Sequence, residues 1–188
     1  LEFVVSGTVG TGAGPGQTVT NTANTTWTST DGANADERTG AGGIDDYAAS
    51  AGVSFTVPAA AFAKQLFATS EASTTGSNVT IGERVTYALV VTLPEGTTPD
   101  LTITDLLPPG LIYASTSIVT SAAASGGLLT ADFAGTVPAP AITGGATAGD
   151  DVTYTFGAIT VAGDNDATTN RFLVLITARV VLSLIHIS

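Results

Sequence analysis

Lys64 is the only lysine among 188 residues. It lies in the run Phe62 to Thr69 (FAKQLFAT), where strand alternation sets it on one face with Phe62 and Leu66, away from Ala63, Gln65 and Phe67. Lysines kept for solubility come in numbers; a single one inside an apolar set is odd. Asp105 is the second such residue. It ends the run Leu101-Thr102-Ile103-Thr104-Asp105 and, on strict alternation, shares a face with Leu101 and Ile103. An unpaired charge there is expensive. An amine and a carboxyl withdrawn from water are parts for nucleophilic and acid–base chemistry. Plainer readings stand beside this one: Lys64 as an ordinary exposed lysine, and Asp105 as the residue that opens the Leu106–Gly110 turn. Enzyme-like sets are missing. There is no Cys and one His, and no Gly-rich stretch has phosphate-loop spacing.

The stretch that must hold Asp105 runs from Glu83 to Tyr113. Val85, Tyr87, Leu89, Val91 and Leu93 alternate with Thr86, Ala88 and Thr92, the period-2 pattern of a half-buried strand. The loop Pro94–Asp100 leads into Leu101–Asp105, and Pro108-Pro109-Gly110 turns the chain into Leu111-Ile112-Tyr113. The four prolines exclude a helix of ordinary length. Upstream, Leu1–Val9 alternates as a strand, and Thr18–Trp27 reads as a Thr-rich strand. Residues 29–47 form a Gly- and Asp-rich loop, and Val53, Phe55 and Val57 lie on a strand closed by Pro58. Residues 58–61 read as a linker, after which 62–69 opens a second domain. Ser115–Thr120, Leu128–Phe133 and Asp151–Thr155 are further strands. Gly149–Tyr154 repeats the theme of Gly82–Tyr87. Arg171–Val181 is the last strand, with Phe172, Val174, Ile176, Ala178 and Val180 on one face.

Gly82, Val85, Thr86 and Tyr87, followed by Thr104, Asp105, Leu107, Pro108, Gly110, Leu111 and Tyr113, spell G-x-x-V-T-Y and then T-D-x-L-P-x-G-L-x-Y. This order resembles the repeat domains of bacterial fimbrial and large surface proteins, and more narrowly the isopeptide-forming fimbrial type. The resemblance implies an all-β, immunoglobulin-like β-sandwich in tandem array. It implies a structural stalk on a bacterial cell surface or in the extracellular space, with neighbouring repeats of the same chain as partners. It also implies that Lys64 condenses with an asparagine on the last strand, while Asp105 polarises the amide and shuttles the proton. Burial favours a neutral amine and a protonated acid, so that chemistry is physically sound. Such a bond ties first strand to last, and tension cannot unzip the domain.

The asparagine is the gap. The matching strand of the preceding repeat is TVTNTANTTW, which makes Asn21 the candidate and Asn24 the second choice; a solvent-facing Asn21 is the plain alternative. Phe3, Val5, Gly7 and Val9 fall on Val174, Ile176, Ala178 and Val180, the mark of a repeat seen out of phase. The same shift carries Asn21 past Ser188. The expected organisation is therefore 1–58, the C-terminal part of a preceding repeat; 59–181, a following repeat cut before its last strand; and 182–188, a non-native tail. Leu182–Ile187 translates a sequencing-adapter end codon for codon, which would make His186 foreign. Within this chain neither cross-link is expected to form.

Composition narrows the partners. A net charge of −11 argues against nucleic acid and anionic membranes. The run Phe172–Ile187 is too short for a membrane span and is interrupted by Arg179. Without Cys there is neither a disulfide nor a thiolate metal site. No cofactor is expected. Asp164 with Asp166, and Asp45 with Asp46, carry oxygens that suit Ca²⁺, yet neither pair fits an EF-hand and both read better as solvated turns. Asn24-Thr25-Thr26 and Asn78-Val79-Thr80 are glycosylation triplets by spelling alone. The competing function is an adhesive module that holds a glycan or host protein through loops such as 29–47 or 121–127, with Trp27 and Tyr47 as its aromatic candidates.

Overall fold

The computed structural model describes residues 2–7, 16–29, 35, 47–74 and 78–182. The chain divides into two compact units, Leu1–Ala59 and Ala60–Ser188. Every strand pairing among the described residues is antiparallel.

In the first unit, β1 (Thr18–Thr26) and β2 (Ala48–Thr56) form a two-stranded ladder. Its register sorts the side chains. Thr18 opposes Thr56, Thr20 opposes Ser54 and Asn24 opposes Ser50, with hydroxyl–hydroxyl contacts at 3.3 Å and 2.8 Å for the first two pairs. The other face carries Val19 against Phe55, Asn21 against Val53 and Ala23 against Ala51. This apolar face is uncovered: Val53 is 66% exposed and Phe55 45%. A hairpin with a bare apolar face is marginal by itself. Beyond the ladder, Trp27 donates its backbone N–H to the Tyr47 carbonyl, and the two rings lie 5.8 Å apart.

The second unit holds β3 (Ala61–Thr69), β4 (Arg84–Thr92), β5 (Gly96–Thr98), β6 (Leu101–Asp105), β7 (Leu111–Val119), β8 (Gly135–Thr136), β9 (Ala141–Gly144), β10 (Val152–Phe156), β11 (Ile159–Val161) and β12 (Arg171–Val180). They pair as a four-stranded sheet, β3-β4-β12-β7, and two three-stranded sheets, β6-β10-β9 and β5-β11-β8. The core joins residues of all three. Leu89 and Val91 of β4 and Phe172, Val174 and Ile176 of β12 pack with Ile103, Tyr154, Phe156, Ile159 and Val161. Phe172 is fully buried between the rings of Phe133 and Phe156, at 5.4 Å and 6.1 Å in edge-to-face contact. The expected alternation of β4, β6 and β12 is what supplies this core.

Two expected strands are corrected. Of the expected strand Leu1–Val9, residues 2–7 carry no ladder and Phe3, Val4 and Val5 are 80–85% exposed, while Leu1, Thr8 and Val9 lie outside the described residues. Alternation marks a strand only where a partner takes its backbone groups, and none does among the described residues. Leu128–Phe133 is part of a loop rather than a strand. Its segment closes on itself: Asp132 accepts from the Ala122 N–H at 2.7 Å, and the Ser125 hydroxyl accepts from the Leu129 N–H at 3.1 Å. A short 3-10 turn, Ala122–Ala124, sits within it, and Leu129 and Phe133 supply the apolar anchors. The expected Ser115–Thr120 strand is the second half of β7, which starts at Leu111 and is kinked where its register with β12 shifts at Thr177/Ala178. The expected loop 29–47 lies largely outside the described residues, as do Asp45, Asp46 and residues 183–188.

The two sheet entries are alike in backbone as well as spelling. Gly82 and Gly149 both take positive φ, 92° and 83°, the left-handed geometry that glycine adopts at low cost. At the first entry Glu83 is only 2% exposed, with its carboxylate accepting from the Thr74 hydroxyl at 2.6 Å and the Thr80 N–H at 2.8 Å. The Thr74 hydroxyl bond, then the Thr80 N–H, hold its pKa below the ordinary value of 4.5. Its backbone carbonyl accepts from the Val180 N–H, so this turn also ties β4 to the end of β12.

Two outcomes follow from this packing. Phe172→Ala should cost about 3–5 kcal/mol in urea unfolding, the range for an aromatic removed from a closed core. The Glu83 bonds need the carboxylate, so their stabilisation is whole above pH 4.5 and is lost as pH falls through the depressed folded value. Glu83→Gln should therefore lower the urea midpoint at neutral pH and flatten its decline below pH 4.5; parallel wild-type and variant curves would rule out that role.

Candidate functional site

Lys64 and Asp105 meet. The Lys64 Nζ donates to Asp105 Oδ1, linking β3 in the four-stranded sheet to β6 in a three-stranded one. Alternation explains the meeting. Lys64 pairs in register with Leu89, a core residue, so its side chain points to the face on which Leu89 is buried. Asp105 pairs with Val152 at the end of β6, two residues after Ile103, and is 4% exposed. The alternative role for Asp105, opening the Leu106–Gly110 turn, is not what its side chain does. That turn closes through the Leu111 N–H on the Pro108 carbonyl.

The pair is unevenly solvated. Lys64 keeps 35% of its side chain exposed, whereas Asp105 is buried. Its second oxygen, Oδ2, is buried without a hydrogen-bond partner. A carboxylate oxygen with an empty lone-pair direction is costly in an apolar surrounding.

Two tyrosines complete the surroundings. The Lys64 ammonium lies 4.6 Å from the centroid of the Tyr87 ring, a cation–π distance. Burial, and then the Asp105 charge, raise the Tyr87 hydroxyl above its ordinary range. Tyr154 is fully buried, and burial pushes its hydroxyl up to about 12, with the charges of Tyr113 and Asp105 adding and a Thr116 bond opposing. Tyr113 donates to Thr116 at 3.1 Å, and Thr116 donates to the Tyr154 oxygen at 3.2 Å. Tyr87 and Tyr154 therefore stay neutral and protonated at physiological pH. Sequence reasoning treated Tyr87 as core alone. Its signal was parity: it alternates with Leu89, the register partner of Lys64, and so stands diagonally beside the lysine.

The flank around the pair is open. Among the described residues, β3 and β6 are both edge strands. Phe62 is 73% exposed, Leu66 47% and Leu106 69%. On one side of Lys64 a cavity of about 620 Å³ is lined by Leu66, Tyr87, Pro108 and Leu111; on the other a smaller one of about 260 Å³ is lined by Phe62, Leu101 and Ile103. The lysine therefore stands between two apolar openings.

Asn21 belongs to the first unit, on β1. The register puts it opposite Val53, on the apolar face with Val19 and Phe55, while Asn24 lies on the hydroxyl-bearing face. That distinguishes two residues the spelling alone left close. Asp164 and Asp166 serve their own loop: Asp164 accepts from the Asp166 N–H at 2.9 Å, and Asp166 from the Thr168 N–H and hydroxyl at 2.9 Å and 2.7 Å. The Thr168 bonds lower the Asp166 pKa. Among the described residues no group of three or more acidic or histidine side chains is placed to hold a metal, and no helix is long and apolar enough to cross a membrane.

The energetic content of the pair is measurable. Lys64→Ala leaves a buried carboxylate alone and should cost about 2 kcal/mol in urea unfolding, less than the ~3–5 kcal/mol of a fully buried pair because water screens the exposed part of the lysine. Adding Asp105→Ala should recover part of that loss; strict additivity would show that the two groups do not interact.

No protein-family model, curated protein or solved structure matches the chain.

Proposed function

We propose that this chain is a segment of a structural stalk, built from immunoglobulin-like β-sandwich repeats of a large bacterial surface or secreted adhesin and stabilised by Lys–Asn isopeptide bonds. The single observation that carries the reading is the contact of the only lysine with a buried aspartate whose second oxygen has no partner. The resemblance of the G-x-x-V-T-Y and T-D-x-L-P-x-G-L-x-Y patterns supports it, as does the antiparallel all-β architecture.

The chemistry proceeds from the open flank. A strand laid over the flank expels water, and in the drier site the neutral amine and protonated acid gain over the two charges. The amine nitrogen then adds to the side-chain carbonyl carbon of an asparagine on the covering strand. Asp105, through its free oxygen, donates a hydrogen bond to the amide and passes the proton to the departing nitrogen, which leaves as ammonia. The product is an amide between β3 and the covering strand. Nothing is oxidised or reduced, and no cofactor is needed. The partners are neighbouring repeats, and the setting is extracellular.

The test is an intact-mass measurement on a repeat that holds Lys64, Asp105 and an asparagine-bearing strand over the open flank. Condensation releases ammonia, so the folded product should be lighter by about 17 Da than its sequence mass. Lys64→Ala and Asp105→Ala should each restore the full mass. An unshifted mass in such a repeat, folded and otherwise wild type, would sink the proposal.

A further inference from the structure

We infer that the loop Thr120–Phe133 is a strap across the outer face of the four-stranded sheet, which holds β3 at Phe67 and so sets Lys64 over Asp105 from the far side. The inference goes beyond the stalk reading: it concerns the ion pair itself and needs no cross-link.

The outer face of that sheet is covered. Leu89 belongs to the inner core, so Ala88 beside it points the other way; Leu173, between Phe172 and Val174, does the same. Ala88 and Leu173 are nonetheless fully buried, and neither belongs to the inner core. Leu129 of the loop is buried and also stands apart from that core. A second apolar layer accounts for all three.

One contact fixes where the loop lies. Gly126 sits against the ring of Phe67, so closely that a Cβ on it would stand 2.9 Å from the ring's Cε2. Phe67 has the parity of Ala63 and Gln65, opposite to that of Lys64. The loop therefore leaves the end of β7 and reaches β3 on the outer side, with β12 and β4 lying between the two strands. Its base is closed by the Phe133 N–H on the Thr120 carbonyl at 2.7 Å, and the Ser125 hydroxyl donates to the Ala122 carbonyl at 2.7 Å. Gly126 takes a φ of +61°, so a side chain there would meet both backbone strain and the ring.

The contact falls where β3 is least determined. The β3–β4 register shifts between Leu66 and Ala68, which leaves Phe67 as the extra residue of a bulge with no partner on β4. The place of that extra residue decides which way the lysine points. As it stands, Lys64 is opposite Leu89 and faces Asp105. With the bulge moved to the other side of Lys64, the register of Ala68 with Thr86 would carry through and set Lys64 opposite Val90, on the outer face. The Phe67 ring against Gly126 pins the extra residue. Phe67 and Gly126 are thus positioning residues for the lysine, acting through the backbone of β3.

Lys64 is the only lysine, so acetylation of its amine reads one side chain once peptide mapping sets the N-terminal amine apart. The probe is an acetyl N-hydroxysuccinimide ester applied to the folded full chain, with the rate followed by mass on the peptide that holds residue 64. Phe67→Ala and Gly126→Val should each speed acetylation several-fold, toward the rate of Asp105→Asn, which removes the ion pair directly. Phe67→Leu should slow it again. Val161→Ala, which removes core volume on β11, should lower the urea midpoint yet leave acetylation at the wild-type rate. An unchanged rate in Phe67→Ala, or an equal rise in Val161→Ala, would overturn the inference, since the contact would then be ordinary packing. Gly126→Ala, a milder change, reads the same contact from the loop side if Phe67→Ala does not fold.

Discussion

A carboxylate held in an apolar layer needs compensation, and at Asp105 it arrives from one direction only. Strand alternation gives Asp105 no choice of face, since Ile103 two residues earlier is committed to the core. The cross-strand partner, Val152, is apolar. The compensating charge comes across the layer from Lys64, on a strand that is itself an edge. It leaves one oxygen unanswered. Native interiors rarely tolerate such a group without a reason.

Much of this was legible beforehand, for a definite cause. Long strands with one wet face write their parity into the sequence, and β4, β6 and β12 carry the core that their alternation implied. The same parity set Lys64 with Phe62 and Leu66, and Asp105 with Ile103. What could not be read were the short elements. β5, β8, β9 and β11 have two to four residues each, too few for a period to show. Residues 2–7 and Leu128–Phe133 failed for opposite reasons. The first alternates but has no ladder partner among the described residues, and the second is apolar because it anchors a self-closed loop.

Register decided what composition left open. Asn21 and Asn24 stand in the same Thr-rich run with similar neighbours. Only the pairing with β2 shows that one shares a face with Val53 and Phe55 and the other with Ser50. An odd separation of three residues is enough to put the two on opposite faces. Tyr87 is the converse case: its burial was visible, but its service as a ring beneath an ammonium depends on a neighbouring strand far away in sequence.

β3 has one more consequence, which concerns solubility. It is a nine-residue edge, largely exposed, and Lys64 is its one charged residue. Exposed edges invite indiscriminate pairing with other chains, and a lysine is a common guard against it, because a foreign strand must desolvate the charge to dock. Under the proposed chemistry the guard disappears when a correct strand arrives, since amide formation removes the charge as the edge becomes covered. Protection and fastening would then be successive duties of one nitrogen atom.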